Sequence, residues 1–225
     1  MRKPKWDYRN LIQDGMNVFF YRDTDHVSET IQARIYSEMS ARVRNGAHRT
    51  LFCEGRSDVF SPSEFKRYSS ESKLRAARTS SHGRSLGADE LIAYRHLKSV
   101  KGGKLSIVGV DSEELLDKQA EIIREISCFE DISSKRDLTE KESIEQLCLF
   151  FDSDSLTKQR SLYSAETVVD YMNSHNVRRA ALFMGEDHFR DISSYFKKSG
   201  VGYASFYPGD GDSDGEDILN YIGKI

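Results

Sequence analysis

Two histidines stand in matching settings near opposite ends of the chain. His26 closes Arg22-Asp-Thr-Asp-His26 after the β-prone run at 18–21. His188 closes Gly185-Glu-Asp-His188 after the apolar run at 180–184. A helical pattern follows each, with Ile31, Ile35, Met39 and Val43 after the first and Phe189, Ile192 and Phe196 after the second. A strand that enters a helix through a short polar turn places that turn at its carboxyl end, the rim where open α/β sheets build sites. Glu54 stands in the same position after the run at 50–53. Two histidines and a glutamate on one rim suit two chemistries. In the first, His26, Glu54 and His188 hold a divalent ion such as manganese, cobalt or zinc. Asp25, Asp187 and Asp111 then act as further ligands or supports, and the bound water is acidified towards neutral pH. In the second, no metal is needed: a histidine oriented by a carboxylate takes the proton of a water attacking an ester or lactone.

Both chemistries need a sheet to hold the residues together. Strands are expected at 18–21, 50–53, 105–111, 180–184 and 200–208. Helices are expected from Ser28 to a cap at Asn45-Gly46, after Gly87, over 112–128, over 164–173 and over 189–198. Strand, helix and strand in this order predict parallel pairing by right-handed crossovers. Residues 1–17 read as an arm with a short helix. The fold expected is a single α/β domain over 1–225, with a mostly parallel central sheet flanked by helices. A Ser/Arg-rich insertion or lid is expected at about 57–86, and a helical insertion, read as a hairpin of helices, at about 129–160. The acidic, glycine-rich stretch 209–217 lacks the twelve-residue register of a calcium loop and reads as a turn.

Composition narrows the function classes. The chain has 225 residues, 33 basic and 36 acidic, for a net charge of −3. That balance does not favour nucleic-acid binding. No apolar run reaches the roughly 18–20 residues that span a bilayer, and no apolar segment follows the first charges as in a signal peptide. The three cysteines, Cys53, Cys128 and Cys148, lack metal-type spacing, so a reducing, cytoplasmic setting is expected. There is no Gly-x-Ser-x-Gly, Walker A or Rossmann glycine motif. His48, His82, His96 and His175 have no partner pattern and read as surface residues. The sequence leaves the oligomeric state open.

The strand-end residues, taken in order, form a recognisable set: Asp23-Thr-Asp-His26, Phe52-Cys-Glu-Gly55, Gln159-Arg160 and Gly185-Glu-Asp-His188. The set resembles the superfamily that joins the TraB and Tiki proteins, the erythromycin-esterase proteins and the ChaN-like haem-binding lipoproteins. That family carries two Gly-x-x-His motifs, a Glu after the second strand and an Arg in the helix before the second motif. Here Gly185 and His188 complete the second motif, Glu54 and Arg160 match the Glu and Arg, and Asp23 replaces the first Gly. The resemblance covers 18–56 and 160–208 and implies an erythromycin-esterase or ChaN-like fold. The Tiki members imply a metal-dependent peptidase. The esterase members imply a metal-free hydrolase with His26 or His188 as base, Glu54 as orienter and Arg160 on the oxyanion. The expectation is therefore a hydrolase of an ester, lactone or peptide bond, metal-assisted, acting through His26, Glu54, Arg160 and His188. The alternative is a non-catalytic protein on the same scaffold, binding haem or a small molecule or serving an interaction. Plain structural counterparts exist for each residue: Asp23, Asp25 and Asp187 suit helix N-caps, and Glu54 with Arg160 suits a buried ion pair.

Overall fold

Alternation along one strand sets up the layers. β2 (Asn17–Asp23) sends Phe19 and Tyr21 into one apolar cluster and Val18 and Phe20 into another, and all four are buried. A strand apolar on both sides must lie inside a sheet covered on both faces. The structure, a computed structural model, describes residues 4–24, 29–55, 57–59 and 105–209. Its sheet also contains β1 (Lys5–Asn10), β3 (Thr50–Cys53), β4 (Ser106–Gly109), β5 (Arg179–Gly185) and β6 (Gly202–Tyr207). The order across the sheet is β1-β6-β2-β5-β3-β4. Every neighbouring pair from β6 to β4 is parallel, and β1 lies antiparallel along β6.

The five expected parallel strands are thus all present. The carboxyl ends of β2, β5, β3 and β4 share one rim. Asp23 pairs with Gly185 in register, so the two strands lie side by side with their ends level although about 160 residues apart in the chain. β2 and β3 flank β5 instead of touching each other. The crossover between them therefore skips the place that β5 fills.

Helices cover both faces. α1 (Glu29–Arg44) buries Ile31, Ile35, Met39 and Val43 against Phe19, Tyr21, Leu51 and Phe183. It ends as the Asn45-Gly46 pair predicts. Gly46 has φ +76°, its N–H donates to the Val43 carbonyl, and the Ala47 N–H reaches back to the Arg42 carbonyl at 2.9 Å. The other face carries α4 (Phe189–Lys198) and the carboxyl-terminal half of α3 (Glu140–Ser174). α2 (Glu113–Ser133) and α3 form a hairpin of helices, which spans 113–174 instead of lying within 129–160 as expected. Thr139 and Glu142 close a reciprocal capping box at the start of α3. Residues 129–133 end α2, whereas 140–160 and the segment expected at 164–173 are parts of one unbroken 35-residue helix, roughly 50 Å long.

Two readings are corrected. Residues 5–10 are a strand, not an arm with a helix. Trp6 and Tyr8 alternate with Asp7 and Arg9, a period of two, and Trp6 packs on Phe19, Tyr21 and Phe206. His48 is not a surface residue. It is 1 % exposed, lies 4.9 Å from the Phe19 ring, and its Nε2 bonds the Tyr21 hydroxyl at 3.0 Å. His175 is exposed as expected and stacks on Tyr171. The Ser/Arg-rich insertion 57–86 (apart from 57–59), the helix expected after Gly87, the acidic stretch from 210 onward, and His82 and His96 lie outside the described residues. Among the described residues no helix is long and apolar enough to cross a membrane.

His48 is expected to make the fold sensitive to mild acid. Burial pushes its imidazole down to about 4 from an ordinary value of 6.5, and the Arg42 and Arg179 charges add to the effect. Between those two values the unfolded chain takes up a proton that the folded chain refuses. Stability is therefore expected to fall as pH drops from 6.5 to about 4, by about 3 kcal/mol in all. Urea unfolding at pH 7.5 and 4.5 measures this loss, and His48→Gln should remove most of the difference.

Candidate active site

The parallel strand ends and one helix face bring the chemistry together. Glu54 directly follows β3, Asp111 lies two residues past β4, and Gly185 ends β5. A 3-10 turn, Glu186–His188, carries His188 back towards the sheet and into α4. Against this rim α3 presents Thr157, Arg160 and Ser161, spaced three and four apart on one face.

Arg160 is the centre of the cluster. Its Nε donates to Asp111 Oδ1 at 2.9 Å, and its Nη2 donates to Asp111 Oδ2 at 2.6 Å and to Glu54 Oε1 at 2.7 Å. Its Nη1 donates to Gln119 Oε1 on α2. The carboxylates are also held by backbone. Gly185 N–H donates to Glu54 Oε2 at 2.8 Å, and Gly55 N–H to Asp111 Oδ2 at 3.0 Å. Gly55 has φ +92°, a left-handed conformation that suits glycine at this turn. His188 completes the arrangement. Its Nδ1 lies 2.8 Å from Ser161 Oγ, and its Nε2 faces Glu54 Oε1 at 3.4 Å.

Proton bookkeeping assigns the ring nitrogens of His188. The Ser161 hydroxyl donates to the Thr157 carbonyl at 2.7 Å, and a carbonyl can only accept. Ser161 Oγ therefore accepts from Nδ1–H, and Nε2 is the nitrogen left to exchange a proton. Side-chain exposures are 7 % for Arg160, 13 % for Glu54, 0 % for Asp111 and 5 % for His188. Burial alone would raise the Glu54 carboxyl. The bond and charge of His188 in its protonated form, the Arg160 charge and the Gly185 N–H outweigh it and hold Glu54 well below the usual carboxylate range. Burial opposes the charge on Arg160 too, but its bonds to Asp111 and Glu54 raise the guanidinium above its ordinary value.

Glu54, Arg160 and His188, expected from three separate segments, meet within hydrogen-bonding range. Asp111 is tied to Arg160 more closely than Glu54 is. Asp187 is exposed while its neighbour His188 is buried, so Asp187 does not join the cluster as a ligand. His26 and Asp25 lie outside the described residues. The register of Asp23 with Gly185 brings the end of the strand before them to the same rim. A bidentate pair between Arg22 and Glu186 fastens the two units together, with the guanidinium 4.5 Å above the Phe189 ring. Two contributors escaped the sequence reading. Ser161 had a visible signal, because Thr157, Arg160, Ser161 and Ser164 make a polar stripe where α3 should be apolar. Gln119 had none, since its role depends on how α2 packs on α3.

The described donors do not by themselves make a metal site. Among the described residues no three His, Cys, Asp or Glu side chains are grouped to hold an ion. Both Glu54 oxygens already accept N–H donors, and Arg160 places a fixed positive charge 2.7 Å from one of them. Four of the five Arg160 N–H donors are engaged by protein groups, which ties it to carboxylates and leaves one donor uncommitted.

Removing Arg160 would leave two carboxylates buried without their cation. Arg160→Leu should lower stability by roughly 3–5 kcal/mol. Adding Asp111→Asn should recover part of that loss, because the two changes share one interaction. Urea unfolding of the single and double variants checks both statements.

Comparison of the chain with protein-family models, curated proteins and solved structures finds no match in any of the three.

Proposed function

We propose that the chain is a hydrolase of an ester, lactone or peptide bond, working at the carboxyl rim through His188 and Glu54. The observation that carries this reading is the 3.4 Å approach of His188 Nε2 to Glu54 Oε1, with Nδ1 fixed by Ser161. That approach is longer than a closed N–H···O bond of about 2.9 Å. It is the slack contact in a cluster that is otherwise tightly bonded. A water oxygen attacking a carbonyl carbon there would pass its proton to Nε2. Glu54, facing the Arg160 guanidinium and the Gly185 N–H, would lie against the imidazolium that forms, and the same proton would return to the leaving group. Ser161 does not fit the nucleophile role. It is fully buried, and its proton is committed to the Thr157 carbonyl, so it acts as the orienter of the ring. Arg160 and Asp111 act through Glu54 by holding it in place. A metal-assisted route would recruit His26 and Asp25 and would need Glu54 to exchange its present donors.

A second reading has its own support. Glu54, Asp111 and Arg160 satisfy one another and are almost closed to solvent. This suits a structural pair on a scaffold that binds haem or a small molecule, or docks a partner, without turnover.

A panel of aryl esters, lactones and short peptides, with and without added manganese, cobalt or zinc, separates the two. The hydrolase reading expects turnover in the wild type, reduced about 10²- to 10⁴-fold by His188→Gln with the unfolding midpoint nearly unchanged. No turnover on any substrate class, together with a lower midpoint for His188→Gln, would leave the scaffold reading.

A further inference from the structure

The opposite rim of the sheet carries a second concave site. A cavity of about 900 Å³ opens where β1 ends and β2 and β5 begin, about one strand length (roughly 20 Å) from Glu54 and His188. It is lined by Arg178, Arg179 and Arg42, with Asp14 as the one carboxylate among the lining residues. Tyr8 and Ile12 supply exposed apolar surface beside them, 44 % and 40 % exposed.

The three arginines differ in a way that describes a receptor. Arg42 is held in place: its Nη2 donates to the Tyr8 hydroxyl at 2.7 Å, its guanidinium lies 4.4 Å over the Trp6 ring, and its Nε reaches Glu38 at 3.4 Å. Arg178 and Arg179 are exposed, and among the described residues neither has a carboxylate partner. Arg179 opens β5 opposite Asn17, the first residue of β2. Asn17 in turn fastens the cavity's loop, exchanging bonds with the Ile12 N–H and carbonyl at 2.8 Å each and donating to the Gly15 carbonyl at 3.1 Å. The wall is therefore built, while Arg178 and Arg179 on it have no carboxylate partner among the described residues. Guanidinium groups recognise carboxylate and phosphate oxygens through paired donors, and an apolar wall beside them favours a ligand with an apolar body.

We infer that this cavity is a binding site for a small organic anion, a carboxylate or phosphate carried on a flat apolar group, held by Arg178 and Arg179 against Tyr8 and Ile12. The site is separate from the carboxyl rim and does not depend on the hydrolase reading.

Calorimetry with phenyl phosphate, benzoate, inorganic phosphate and phenol tests it on the full chain. Saturable one-to-one binding of phenyl phosphate or benzoate is expected, at least about tenfold tighter than inorganic phosphate or phenol. Whichever of the two organic anions binds more tightly identifies the head group. Arg178→Ala/Arg179→Ala changes two exposed side chains and should weaken binding tenfold or more, a loss of about 1.4 kcal/mol. His188→Gln should leave it unchanged. Absence of binding by both organic anions, or equal binding by the double arginine variant, overturns the inference. Inorganic phosphate binding as tightly as phenyl phosphate removes the apolar part of it.

Discussion

Arg160 is the constraint on which the carboxyl rim depends. Three parallel strands end there, and each leaves a polar group in a nearly dry space: Glu54 after β3, Asp111 after β4 and the Gly185 N–H at the end of β5. Two carboxylates buried side by side would repel each other and lose their hydration. One guanidinium answers both, because its planar fork offers donors in two directions at once. The geometry also explains why the cation is an arginine. A lysine ammonium could not bond both Asp111 oxygens in the bidentate way and still reach Glu54 and Gln119.

The clamp ties distant parts of the chain together. α3 is bound to the sheet rim through Arg160 and to α2 through Gln119, which also donates to Thr157. One helical turn therefore fixes the hairpin, the strand ends and, through Ser161, the ring of His188. Chemistry at His188 Nε2 would inherit its precision from this clamp. Most of the atoms that set the geometry touch no substrate in the proposed reaction.

The two rims contrast in how charge is handled. At the carboxyl rim, positive and negative groups pair at short range and are almost closed to solvent. At the amino rim, Arg178 and Arg179 stand exposed beside a cavity. In the readings proposed above, the first would move a proton inside the protein and the second would take a charge that arrives from outside. His48 lies towards the second rim, just before β3. Its depressed basicity reflects burial and then the same arginine field.

Much of this was legible in the residues. Periodicity located all five parallel strands and the helices α1, α2 and α4, because burial on both faces forces continuous apolar strands and single-sided burial forces a helical stripe. The strand-end position of Glu54 and His188 followed from where the apolar runs stop. What the sequence could not supply was adjacency. Strand order, and with it the register of Asp23 with Gly185, is set by which faces pack when α1 and α3 cover the sheet, and no local pattern encodes it. The fate of His48, the role of Gln119 and the engagement of Arg160 by Asp111 share that origin. A polar side chain in a loop or on a helix reads the same whether it meets water or a buried partner, and only the packing of segments far apart in the chain decides which.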